Sequence, residues 1–248
     1  MFIAQCLLFT AASPGEGDGA THPFEFDVHR APERQTGGDC LITGVTIHSA
    51  VAPPRVGDVL VVDGDIAAIG SGLEAPAGAL VIDGAQRHLA PGVVDCHSHM
   101  AIEQGVNEGT LSITAEVDIS DALNADDISL WRALAGGVTT ARLLHGSANT
   151  IGGRHEVIKL KWRRTADELR FPLAPEGIKF ALGENVKRSN GDGQQSRYPA
   201  TRMGVESIFY RAFNRAREYQ AEWAAYETAR SRGEDPPPPR KDLRLEAL

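Results

Sequence analysis

Cysteine is scarce in this 248-residue chain: Cys6, Cys40 and Cys96 are an odd number, spread far apart. They build neither a disulfide framework nor a CxxC metal knuckle. Positive charge is also in short supply. Lys and Arg number 25 against 33 Asp and Glu, a formal net charge of −8, whereas a protein that neutralises nucleic-acid phosphates needs a basic face. The acidic balance favours solubility and small-molecule or cationic partners. The N-terminal apolar run, residues 1–12 (MFIAQCLLFTAA), falls well short of the ~20 residues that span a bilayer, so no transmembrane segment is expected. The phosphate-cradling GxxxxGK(S/T) spacing and internal repeats are missing too. What is present is ordinary globular composition, 42% hydrophobic and 23% charged, enough for one large or two small domains.

The pattern along the chain divides it in three. Residues 1–39 read as a signal-like segment and linker: the apolar start ends in small residues and runs into SPGEGDG. That start resembles the back half of a secretory signal without its positive charge, or else a frayed terminus, which leaves cytoplasmic and exported locations both open. Residues 40–90 carry short β-branched runs (LITGVTIHSAV, DVLVVDGDIAAIGSG, ALVIDGAQRHLAPG) and predict a small β-sandwich-like module. Asp63-Gly64 between VLVV and DIAAI suits a tight hairpin turn with positive φ.

Residues 91–248 alternate between strand and helix signals, as in a parallel α/β barrel. VVDCHSHM reads as a buried strand whose period of two puts His97 and His99 on one face. Asn124 to Ala135 predicts a helix capped by Asn124 and closed by Gly136-Gly137. VTTARLLHG, EVIKLKW and GIKFALGEN are further strand candidates. A long amphipathic helix is predicted over residues 204–232, with Val205, Ile208, Phe209, Ala212, Phe213, Ala216, Tyr219, Trp223 and Tyr226 on one stripe and Pro236 to Pro239 beyond it. The Arg-rich remainder (Arg211, Arg215, Arg217) reads as a solvated face.

Three motifs give these elements a family likeness. ITGVTIHSAV followed by GDVLVVDGDIAAIG, then LAPGVVDCHSHM, then GGVTTARLL together resemble the start of the amidohydrolase superfamily, the metal-dependent hydrolases related to imidazolonepropionase, dihydroorotase and prolidase-like dipeptidases. The direct likeness covers about residues 40–145. It extends at lower resolution to about Glu206, where the chain is similar to an imidazolonepropionase-like branch. The resemblance implies an α/β fold, a TIM-type (β/α) barrel preceded by the β-module, with one or two divalent metals, usually zinc.

Chemistry supports that likeness at His97 and His99. Neutral imidazoles at i and i+2, at the C-terminal mouth of the first barrel strand, bind one divalent ion from one side. Asp95 is read as a supporting residue. The resemblance then calls for a bridging ligand from a middle strand: Lys179 resembles the lysine that relatives carboxylate, Glu184 is the alternative, and Lys159 a distant third. His145 at the end of the second strand, Asn149 in the polar stretch that includes Gly146, Ser147, Gly152 and Gly153, and Arg202 in YPATRMG are candidates for substrate contact. His145 also reads as a loop histidine and Arg202 as a salt-bridged residue. His88 and His155 read as surface or hydrogen-bonded residues.

The chain departs from the family pattern after His155, where there is no further histidine. Relatives take two more histidines and a general-base aspartate from later strands. The barrel is therefore expected to be incomplete, a fragment of a longer hydrolase, with the general base outside this sequence. The leading expectation is a metal-dependent hydrolase of C–N bonds in amides, cyclic amides or dipeptides, acting on a small molecule with no nucleic-acid partner. A non-catalytic amidohydrolase-like assembly protein, associating as a homo-oligomer, is the competing reading.

Overall fold

The β-branched runs after residue 40 become strands because alternate residues have an apolar surface to cover. In this computed structural model, which describes residues 6–9, 30–32, 34–188 and 197–248, β2 (Cys40–Ile47), β3 (Arg55–Val62) and β4 (Asp65–Gly70) form an antiparallel meander. The turn between β3 and β4 is Asp63-Gly64, with φ of 53° and 82°, as a two-residue hairpin demands. β5 (Leu80–Asp83) and β6 (His88–Pro91) both run parallel to β2. They share it because β2 is interrupted between Ile42 and Val45 by Gly44 at φ 62°. Residues before the interruption pair with β5 and those after it with β6. Asp58 secures the bulge, accepting from Gly44 N at 2.9 Å and from Leu73 N at 3.2 Å.

β1 (Cys6–Phe9) adds antiparallel to β6; the rest of the signal-like run lies outside the described residues. The result is one six-stranded mixed sheet, β1-β6-β2-β3-β4 with β5 on β2. The bulge divides β2 between two parallel partners within that sheet. Its core is Cys40, Ile42, Val45, Ile47, Val59, Ile82 and Leu89.

The chain divides into two compact units, residues 1–93 with 135–139, and residues 94–134 with 140–248. In the first unit, residues 135–139 lie against the end of the module: Val93 N donates to Gly137 O at 2.9 Å. A Cβ on Gly92 would stand 2.2 Å from Thr139 Oγ1, so only glycine admits that approach.

The second unit begins within β7 (Val93–Ser98) and contains α1 (Ile128–Ala135) up to Leu134 and β8 (Val138–Leu143) from Thr140. Then come β9 (Ile151–Arg154), β10 (Glu156–Lys159), α2 (Ala166–Leu169), β11 (Ile178–Phe180), α3 (Asn185–Arg188), α4 (Arg202–Ser231) and α5 (Leu243–Glu246). α1 starts later than Asn124 because Asp127 caps it, accepting from Ser129 N at 2.9 Å, while Asn124 turns back on Asp126 N. β7, β8 and β10 form one sheet in the order β10-β8-β7, and β9 pairs with β11.

The β8–β10 and β9–β11 pairings are antiparallel, so the described residues of the second unit form two small sheets and not a closed parallel barrel. A parallel neighbour needs a crossover, usually a helix. Between β8 and β10 there is none; the chain returns through β9, which belongs to the other sheet. α4 carries the long predicted stripe: Val205, Ile208, Ala212 and Tyr219 are buried at helical spacing, while Phe213 is 37% exposed. Among the described residues no helix is long and apolar enough to cross a membrane.

Candidate metal centre

His97 lies on β7 and His99 directly after its end, and the extended period of two brings both rings to the same side. Their ring centroids lie 5.2 Å apart with planes at 83°. Asp95 does not reach into this pair; its carboxylate accepts from the backbone N of His97 at 3.1 Å and stiffens the strand end. His99 is fixed by its own Nδ1, 2.8 Å from Leu144 O. A carbonyl can only accept, so Nδ1 carries the proton and Nε2 presents a lone pair. This is the orientation that metal-ligating histidines take from a backbone carbonyl.

Lys179, on β11, reaches across 82 positions of sequence to place Nζ 3.4 Å from His97 Nε2. Two effects act on that amine: burial, and after it the positive charge of Arg142, hold its pKa below the usual lysine range. The Lys179 charge in turn is the main cause that lowers the His97 pKa, with burial and His99 adding to it. His97, His99 and Lys179 are thus brought together.

The other candidates lie elsewhere in the network. Glu184 is held by Lys187 at 2.7 Å and approached by Arg202 at 3.7 Å, and the Arg202 side chain is 73% exposed. Lys159 stacks its ammonium over the Phe171 ring, 4.6 Å from the centroid. His145 is 2% exposed, with Nδ1 2.9 Å from Gly146 O and Nε2 accepting from Glu108 N at 2.8 Å. Both of its nitrogens are occupied. Asn149, fully buried, directs its amide to Glu108 O, Leu111 O and Thr114 Oγ1.

These two residues brace the segment after β7. Two further groups that sequence reading did not single out brace it with them. Asn107 accepts through its side chain from Ala148 N at 3.1 Å, and Arg197 donates to Gly109 O, Leu111 O and Ala148 O. Their signal lies in the fold and not in any local motif. Nor is the stretch 146–153 a loop throughout. Gly152 and Gly153 belong to β9 and are buried, and a Cβ on Gly153 would meet Val117 Cγ2 at 2.5 Å and Val117 O at 2.6 Å.

Do these residues fit a divalent ion? Two imidazoles, one with its tautomer set for ligation, are borderline donors suited to zinc and its neighbours. A lysine with its amine pushed towards the neutral form fits a third, provided it carries a carboxylate. Among the described residues no group of three or more His, Cys, Asp or Glu stands close enough to hold an ion alone.

An α/β protein with paired imidazoles at a strand end and a lysine facing them is the class that fold and site define, and comparison with known proteins narrows it. No protein-family model matches the chain. It is 34% identical over 181 residues to amidohydrolase tasK of Hapsidospora irregularis, covering 65% of this chain and 18% of that protein. The crystal structure of an amidohydrolase from Thermotoga maritima superposes with a TM-score of 0.72 and 34% identity, over 84% of this chain and 54% of that one. L-hydantoinase from Arthrobacter aurescens matches 43% of this chain and 20% of its own at 25% identity, with a TM-score of 0.29, too low to bear on the fold. The chain spans about half the length of the Thermotoga protein and less than a fifth of tasK. TasK and the Thermotoga protein, each 34% identical to this chain, support an amidohydrolase likeness.

Proposed function

We propose that this chain carries part of the active site of a metal-dependent hydrolase of C–N bonds in small amides, cyclic amides or dipeptides. The observation that carries the reading is the approach of Lys179 Nζ to His97 Nε2 at 3.4 Å beside a His99 whose Nε2 is left as a lone pair. His97 and His99 would hold one ion and Lys179, once carboxylated, would supply a further oxygen ligand, a bridge where two ions bind; zinc is the first choice of metal. A divalent ion there supplies Lewis-acid polarisation of the scissile carbonyl and activates water.

The protein's own residues do the rest. Leu144 O holds the His99 proton on Nδ1 and so keeps the ring aimed. Asp95 fixes the backbone at His97. The amine of Lys179, disfavoured as a cation by burial and by Arg142, is prepared to react with carbon dioxide as a neutral nucleophile. The amidohydrolase relatives support this chemistry.

The test is metal content. After dialysis against zinc and removal of excess, elemental analysis should find bound zinc that His97→Ala and His99→Ala each reduce by about tenfold or more in affinity, the loss of one coordination bond. Bicarbonate labelled with carbon-13 should give a carbamate resonance that Lys179→Ala abolishes. Zinc retained equally by all three variants would overturn the reading.

A further inference from the structure

Two histidines that this function leaves unused stand together on the first unit. His48 follows β2 and His88 opens β6, and His48 Nε2 lies 2.9 Å from His88 Nδ1. The rings face each other end to end, with centroids 5.1 Å apart and planes tilted by 45°. Their positions are fixed by the backbone. Thr46 and His88 are register partners in the parallel β2–β6 ladder; Thr46 N donates to Arg87 O at 2.9 Å, and His48 N donates to Leu89 O at 2.8 Å. Ladder hydrogen bonds thus bracket both side chains, His88 is exposed and His48 half-buried, and among the described residues neither ring has a second hydrogen-bond partner.

We propose that His48 and His88 form a surface chelate for a divalent transition-metal ion of the tetragonal kind, copper(II) or nickel(II). Two neutral imidazole nitrogens favour copper(II) over zinc in the affinity order of the first-row divalent metals, and nitrogen ligands in a tetragonal set suit copper(II) and nickel(II). The rings now meet head-on around one shared hydrogen, so binding requires two small changes: the rings rock until both lone pairs converge, and that hydrogen moves to the outward nitrogen of its own ring, where water accepts it. Both rings remain neutral and no proton is lost from the protein. The net charge of −8 favours a cation, and ladder hydrogen bonds hold the backbone at both residues.

The experiment is a copper(II) titration of the full chain, followed by electron paramagnetic resonance. The His97→Ala/His99→Ala double variant serves as the background, which keeps the result independent of the proposed active site. The expected spectrum is one copper equivalent with two equatorial imidazole nitrogens. In His48→Ala or His88→Ala it should change to one nitrogen and bind about tenfold or more weakly, with unchanged circular dichroism and thermal midpoint. Zinc should bind at least about tenfold more weakly than copper. The proposal is overturned if the two-nitrogen spectrum survives in the His48→Ala/His88→Ala variant, if it never forms, or if zinc binds as tightly as copper.

Discussion

His145 commits both nitrogens to the backbone, one to Gly146 O and one to Glu108 N, and burial is the main cause that holds its pKa below the ordinary histidine range. It is therefore neutral in the fold but takes up a proton in the unfolded chain below about pH 6.5. Its stability contribution is complete above that pH and is lost as pH falls from there through the depressed folded value, because the unfolded state binds more protons in that window. The urea midpoint should drop between pH 7 and pH 5, and the drop should be shallower in His145→Gln; equal slopes would move the acid sensitivity to His155, which burial also depresses. Of the candidate residues, His97 and His99 were legible as a pair because a period of two needs no tertiary knowledge. The neighbour relation of Lys179 came only through the family likeness, and the bracing of His145 was hidden because nothing local distinguishes a histidine that binds backbone from one that faces a pocket.

At the scale of elements, the hairpin at Asp63-Gly64 could be read directly, since positive φ at both central positions is encoded in the residue types themselves. β9 could not. Gly152 and Gly153 look like loop residues, yet they sit in a buried strand because Val117 and His145 occupy the space a side chain would take. Gly153→Ala should therefore cost about 1–3 kcal/mol or more, as a fall in the denaturation midpoint, since one clashing atom is the Val117 backbone oxygen and cannot swing aside. No change in the midpoint would show that β9 is held some other way. The start of α1 was misplaced for a related reason. Asn124 and Asp127 are both good caps by type, and the choice is made by Ala101, whose N donates to Asp127 Oδ2 at 2.7 Å while Ser129 N binds Oδ1.

For the whole molecule, the order of a β-rich module followed by mixed strands and helices was legible, whereas the pairing within the second unit was not. Strand signals fix where an element lies and leave its partner and direction to longer-range packing. The charge balance was plain from composition, and with a sequence pI near 5.5 the protein should be least soluble close to that pH. Turbidity measured across pH 4 to 8 checks this, and a minimum in solubility far from 5.5 would point to a charge distribution that composition does not describe. One feature of the chain's path reaches further. Because the first unit takes residues 135–139 from beyond the start of the second, with Gly137 receiving the Val93 N–H and Thr139 closing over Gly92, its last pieces leave the ribosome only after α1 has been made. The module's last contacts form only after α1 has been made, and a gene segment ending at residue 93 would encode the sheet without them.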